Sequence, residues 1–218
     1  MKVVVAGATG LIGGFLISSL QKDSTFEAVT ALTRRDKKAE GKITWEVVNF
    51  DSSQDLEKVT QGADVVFCCL GTTMKNAGSK EAFYKVDYQY VVDLAKASIK
   101  NDVRQFSVIS AMGADANSKI FYNQVKGEME EAIRGLGFHE LIIFHPSLLL
   151  GPREETRIGE QIGTAIGKLL SPLMVGPVKK YHPIHVSKIA EAMIKEAKIE
   201  SDRNRVLEYK EILESSKK

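Results

Sequence analysis

Several features are scarce in this 218-residue chain. No apolar run approaches the ~18 residues that would cross a membrane. Runs such as residues 63–70 and 141–144 are strand-length. An excess of either sign of charge is nearly missing: 30 Lys and Arg stand against 28 Asp and Glu, a net charge of +2. That balance excludes an acidic solvating tail and argues against a dedicated nucleic-acid binder, which is usually strongly basic. Cysteine is reduced to one adjacent pair, Cys68 and Cys69. A bridge between neighbours is strained, so buried thiols in a reducing compartment are expected. A leader is missing too: Met1-Lys2-Val3-Val4-Val5-Ala6 runs straight into a Gly-rich turn, where a signal peptide needs a longer apolar stretch. A cytoplasmic protein without a membrane span is the resulting expectation. No internal repeat and no low-complexity segment interrupts the chain.

What is present is ordinary in amount and informative in order. Apolar residues are 44% and charged residues 27%, as in soluble globular proteins. A chain this long buries roughly 70% of its unfolded surface and needs no metal or disulfide staple. Strand patterns at residues 2–6, 26–33, 43–48, 65–70, 105–109 and 140–144 alternate with helical ones. The clearest helices cover residues 79–99 and 119–136, and Ser52 or Ser53 is the candidate N-cap of a shorter one. The continuous apolar run near residue 65 suits a strand buried on both faces of a parallel sheet. The alternation predicts an α/β fold, a doubly wound parallel sheet with a small C-terminal extension. One domain is expected over residues 1–218, with 151–218 contributing the substrate-side lobe. In that stretch, residues 159–170 read as a weak Gly-interrupted helix and 188–198 as an amphipathic one. The charge run at residues 34–42 is expected to be solvated surface.

Gly7-Ala8-Thr9-Gly10-Leu11-Ile12-Gly13 joins the first strand to the first helix. Gly allows a tight turn, close approach to a pyrophosphate and close helix–sheet packing. The helix N-terminus then offers N–H groups and a positive dipole end. Thr9, Leu11 and Ile12 fall on the same turn and are cofactor candidates with Gly7, Gly10 and Gly13. An NAD site wants an acid roughly 20 residues beyond the motif, on the ribose 2′-OH. Here Leu32-Thr33-Arg34-Arg35 stands there instead. Arg34 and Arg35 suit a 2′-phosphate, so NADP(H) is the expected cofactor. Asp51, after the third strand, could accept from an adenine amino group or cap the next helix. A second constellation is Ser110, Tyr122 and Lys126. Tyr122 and Lys126 are i and i+4 on one helix face, and Ser110 ends the preceding strand at the edge where such sheets bind ligands. A Tyr phenol is a poor acid–base group at neutral pH, and a neighbouring ammonium brings it towards the working range. His182 and His185 lack nearby partners for a tetrahedral metal set, so no metal is expected.

These residues together resemble the short-chain dehydrogenase/reductase superfamily, nearer its atypical and extended branch, and most closely the Tat-interacting-protein-like oxidoreductases. The likeness rests on the early Thr9-Gly10-Leu11-Ile12-Gly13, on Cys68-Cys69-Leu70-Gly71-Thr72-Thr73, on Tyr122-Asn123-Gln124-Val125-Lys126-Gly127-Glu128, and on His145-Pro146-Ser147 with Arg153 and Glu155-Thr156-Arg157 beyond. It implies a Rossmann fold, NADPH and a Ser110–Tyr122–Lys126 triad. It also implies that Leu70, Gly71 and Thr72, with Pro146, Ser147 and Leu148, line the ribose and nicotinamide. Two positions depart from the pattern. Val86-Asp87-Tyr88 stands where many members carry an Asn of a proton relay, and His145 stands where many extended members have Arg.

The first functional expectation is therefore an NADPH-dependent oxidoreductase acting on a small carbonyl or alcohol. A second is an NADP(H)-binding regulatory or assembly protein with an inert triad. A third is a nucleotide-sugar epimerase or dehydratase, against which the short stretch after Leu150 speaks. A homodimer through the two central helices is compatible with the pattern, and no nucleic-acid partner is expected.

Overall fold

A β-branched run with no polar interruption favours a buried strand, and Val3-Val4-Val5 sits at the middle of β1 (Lys2–Ala6). The computed structural model describes residues 1–151, 182–200 and 203–217. In chain order, β1 leads to α1 (Leu11–Lys22), β2 (Ala28–Thr33), β3 (Ile43–Val47), α2 (Ser53–Thr60) and β4 (Val65–Cys68). Then come α3 (Met74–Ala77), α4 (Lys80–Tyr84), a π-helical segment (Lys85–Gln89), α5 (Tyr90–Lys100), β5 (Gln105–Ile109), α6 (Phe121–Arg134) and β6 (Glu140–Phe144). The last elements are β7 (Leu149–Leu150), β8 (Ile184–His185), α7 (Val186–Ala197), β9 (Arg203–Leu207) and α8 (Tyr209–Ser215).

Seven strands form one parallel sheet in the order β3-β2-β1-β4-β5-β6-β9, and β7 pairs with β8 separately. Alternate residues of β1 serve opposite faces, as a strand's period of two requires. Val3 and Val5 pack with Leu16 and Leu20 of α1 and with Ile189 and Met193 of α7. Val4 and Ala6 pack with Leu56 of α2, Leu94 of α5 and Met129 of α6. Helices thus cover both faces, the arrangement of a Rossmann-type α/β fold.

Two features differ from the sequence reading. The helix expected over residues 79–99 is divided: Ser79 caps α4 by accepting the Ala82 N–H at 3.1 Å, and the π-helical segment separates α4 from α5. The π-helical segment spans only five residues, too few for its wider turn to alter the apolar spacing of the whole stretch. Part of the stretch expected on the substrate side is sheet framework, because β9 extends the sheet beside β6 and α7 packs against α1. The weak helix expected at residues 159–170 lies outside the described residues. The acceptor for the Asp55 N–H is Ser52, at 3.2 Å, which decides between the two candidate caps.

Close packing at the first turn explains two glycines. Gly7 has φ 75°, and a Cβ there would come within 2.5 Å of the Cys69 carbonyl carbon. A Cβ on Gly13 would meet the Ala8 Cα at 2.9 Å, besides the still closer Gly7 carbonyl. Gly13→Ala is therefore expected to lose about 1–3 kcal/mol of stability through overpacking, read as a lower urea midpoint in the absence of any cofactor.

Candidate functional site

Parallel strands whose order reverses leave a crevice outside their carboxyl ends. Here β1 is the reversal point, with β2 on one side and β4 on the other. A cleft of about 1640 Å³ opens there. Its floor is the first turn: Gly7, Thr9, Gly10, Leu11 and Ile12 all line it. Gly10 is the N-cap of α1 and contributes no side-chain cap, so the first-turn N–H groups are left for something else. Arg34, Phe50 and Tyr90 line one end, with the Phe50 and Tyr90 rings 5.3 Å apart. Leu70, Gly71 and Thr72 form part of a wall. Ser110, Tyr122 and Lys126, with Pro146, Ser147 and Leu149, line the other end.

Four candidates lie elsewhere. Gly13 is packed under the turn, as described above. Arg35 is exposed beyond β2, its N–H donated to Thr33 Oγ1 at 3.2 Å, and only Arg34 reaches the cleft. Residues 34–41 are all exposed, as expected of the charge run, but Lys42 at its end is half-buried and donates to Phe26 O at 2.8 Å and to Asp23 O. Asp51 is drawn away by Lys85 at 2.7 Å and accepts from Tyr90 Oη at 3.3 Å, so Phe50 takes the lining position. Leu148 does not line the cleft, whereas its neighbours Ser147 and Leu149 do. Arg153, Glu155, Thr156 and Arg157 lie outside the described residues. His182 and His185 have local roles: the His182 ring lies 5.9 Å from that of Tyr209, and His185 packs edge-on against Phe15 at 5.8 Å.

Lys126 is 3% exposed, and its ammonium lies 2.8 Å from Asp87 Oδ1. Burial disfavours its charge, but the Asp87 carboxylate, with Tyr122 behind it, outweighs burial and holds the Lys126 pKa above its ordinary value. Stability from this pair is complete below the ordinary lysine pKa and is lost only as pH rises past the raised one. Tyr122 is 40% exposed, with its ring 5.8 Å from Phe83. Cys68 lies behind the pair, its thiol pushed up to about 12 by burial. Both cysteines are free.

Ser110 stands at the end of β5 with its N–H on Phe144 O at 2.9 Å. Its hydroxyl donates to Glu130 Oε1. The same carboxylate receives His145 Nε2 at 2.6 Å and Arg134 Nη2 at 2.9 Å. Glu130, on the buried face of α6, was not a sequence candidate. It lies four residues beyond Lys126, a spacing that puts both on one helix face, and that was the available signal. His145 is held in place by this contact. Glu130→Ala would strip a buried acceptor from three donors, and a loss of about 1.5–3 kcal/mol is expected, to be read by chemical denaturation.

With this geometry in view, comparison with known proteins is decisive about family. An NAD(P)H-binding family model matches residues 7–171. The chain belongs to that NAD(P)H-binding family. Within the family it is 37% identical to protein HTATIP2 of Rattus norvegicus over 72% of this chain and 66% of the relative. It is 36% identical to the mitochondrial protein FMP52 of Eremothecium gossypii, over 78% of this chain and 77% of that protein. Among solved structures, a UDP-glucuronic acid 4-epimerase from Bacillus cereus in complex with NAD superimposes with a TM-score of 0.71, covering 98% of this chain and 80% of the other. At 17% identity that likeness shows a shared Rossmann fold. Membership in the NAD(P)H-binding family also corrects one expectation. The FMP52 relatives are named as mitochondrial, so the expected cytoplasmic location does not stand. Among the described residues no helix is long and apolar enough to cross a membrane.

The cleft fits a dinucleotide of this family. The close packing of Gly7 against Cys69, the uncapped start of α1 and the length of the cleft from Arg34 to Tyr122 are what the turn, the phosphates and the extended body of such a cofactor require.

Proposed function

We propose that the protein is an NADPH-dependent oxidoreductase of the short-chain dehydrogenase/reductase type, acting on a small carbonyl or alcohol substrate. The observation that carries this reading is that Tyr122 and Lys126 line the same cleft as the glycine turn. A proton donor and its ammonium are thereby brought to one end of a dinucleotide-sized groove.

Gly7, Gly10 and the first turn of α1 would hold the pyrophosphate, Arg34 a 2′-phosphate, and Phe50 with Tyr90 the flat walls for a base. Leu70, Gly71, Thr72 and Pro146 would border the nicotinamide ribose. When bound, the nicotinamide supplies or accepts hydride. Tyr122 then gives a proton to the substrate oxygen in reduction, or takes one in oxidation. Lys126, charged and lining the same end of the cleft, stabilises the phenolate that this transfer leaves behind. Ser110 would orient the substrate oxygen once its hydroxyl turns from Glu130.

One observation favours a second reading. An ionised carboxylate only accepts hydrogen bonds, so while Glu130 is charged the single Ser110 proton is engaged. A site held that way binds NADP(H) without turning over, as a regulatory or assembly protein would. Steady-state assays with NADPH across aldehydes, ketones and quinones distinguish the two. NADPH-dependent reduction of any member supports the enzyme, whereas tight NADPH binding with no turnover across the panel moves the conclusion to the second reading.

A further inference from the structure

Asp87 is 1% exposed, among the most deeply buried charged side chains described. Both of its oxygens are engaged: Oδ1 by Lys126 Nζ at 2.8 Å and Oδ2 by the Thr72 N–H at 2.8 Å. A Cβ on Gly71 would lie 3.4 Å from Asp87 Oδ1 and 4.0 Å from Lys126 Nζ, so the backbone of residues 71–72 is folded down onto the ion pair. The π-helical segment puts Asp87 there, since the helix widens at Lys85–Gln89 and returns to α geometry at Tyr90. Such single wide turns inside helices recur at functional sites.

Isolated buried charges are costly, and an ammonium at this depth without a partner gives up its proton. The titratable groups acting on Lys126 are Asp87 from the π-helical segment, Tyr122 from its own helix and Cys68 from β4. Cys68 is neutral because burial raises its thiol to about 12. Asp87 alone among these three is a carboxylate. We propose that Asp87 is a positioning residue that keeps Lys126 protonated and aimed at the cleft, and that through Thr72 it ties that ammonium to the cofactor-side wall. The inference rests on the reading of Lys126 as a cofactor-side group, but its test does not depend on turnover.

The measurement is the pH titration of the Lys126 ε-carbon resonance in protein carrying 13C-lysine, assigned by its disappearance in Lys126→Met. In the native protein the resonance should remain that of an ammonium up to the ordinary lysine value of about 10.4. In Asp87→Asn, which keeps an acceptor for the Thr72 N–H and loses the charge, Lys126 should titrate below that value. Superimposed curves for the two proteins would overturn the proposal. If Asp87→Asn does not fold, the native curve decides alone, because a native Lys126 that loses its proton below the ordinary value is incompatible with the proposal. Asp87→Glu, which restores the charge, should return the titration towards the native position. NADPH titrations of native protein and Asp87→Asn at pH 7 and pH 9 then separate the two readings. Loss of affinity only in the variant at pH 9 supports both. A shifted Lys126 with unaltered NADPH binding leaves Asp87 as its counter-ion and removes Lys126 from the cofactor site.

Discussion

Tyr122→Phe is expected to lower turnover by about 10²–10⁴-fold, the range that general acid–base catalysis contributes. The substitution removes one oxygen and keeps the ring against Phe83. The fold and NADPH affinity should therefore survive. Steady-state turnover and an NADPH titration on the same preparations check this, and full activity in the variant would show that another group moves the proton. Lys126→Ala is a less clean companion than its place in the sequence suggests. It leaves Asp87 buried and unpaired, and breaking a buried pair on one side costs about 3–5 kcal/mol. A loss of activity in that variant would mix chemistry with instability.

The next largest expected effect concerns cofactor choice. NADPH should bind more tightly than NADH, because Arg34 lines the cleft where an NAD site would present an acid. Losing a charged hydrogen bond to a phosphate is worth about 1.5–3 kcal/mol, or roughly 10- to 150-fold in affinity. Arg34→Ala should weaken NADPH by that factor and leave NADH nearly unchanged. Arg35→Ala should do much less, since its residue is exposed away from the cleft. Because Arg34 is exposed, its contribution should shrink as salt is added. Equal affinities of the native protein for the two cofactors, measured by fluorescence titration, would refute the assignment.

The framework was legible in the sequence because its signals are local. Val3-Val4-Val5, the apolar run at β4 and the glycine turn each state their structure within a few residues. Strand boundaries shifted only slightly, as at β2, which begins at Ala28 and not at residue 26. β9 escaped notice because Arg203-Asn204-Arg205 breaks its apolar pattern, and its place in the sheet comes from pairing with β6 about sixty residues earlier. The site divides in the same way. Tyr122 and Lys126 share a helix face and could be read together. Glu130 meets Ser110 and His145 from two other strand ends, and Asp87 reaches Lys126 across the sheet's helical layer. Such contacts leave no spacing rule in the sequence. The Asp51–Lys85 pair is hidden for a related reason, since its members lie 34 positions apart.

The pairing of β6 with β9 has a consequence for the newly made chain. Until the last strand arrives, β6 presents an open row of backbone donors and acceptors flanked by Leu141, Ile142 and Ile143, a template on which another molecule could add a strand. Once β9 is in place, the outermost strand is short and carries the exposed Arg205 next to the exposed Asn204, a poor surface for further addition. β9 therefore serves proteostasis as much as architecture: without it the apolar β6 edge would lie open, and with it that edge is covered.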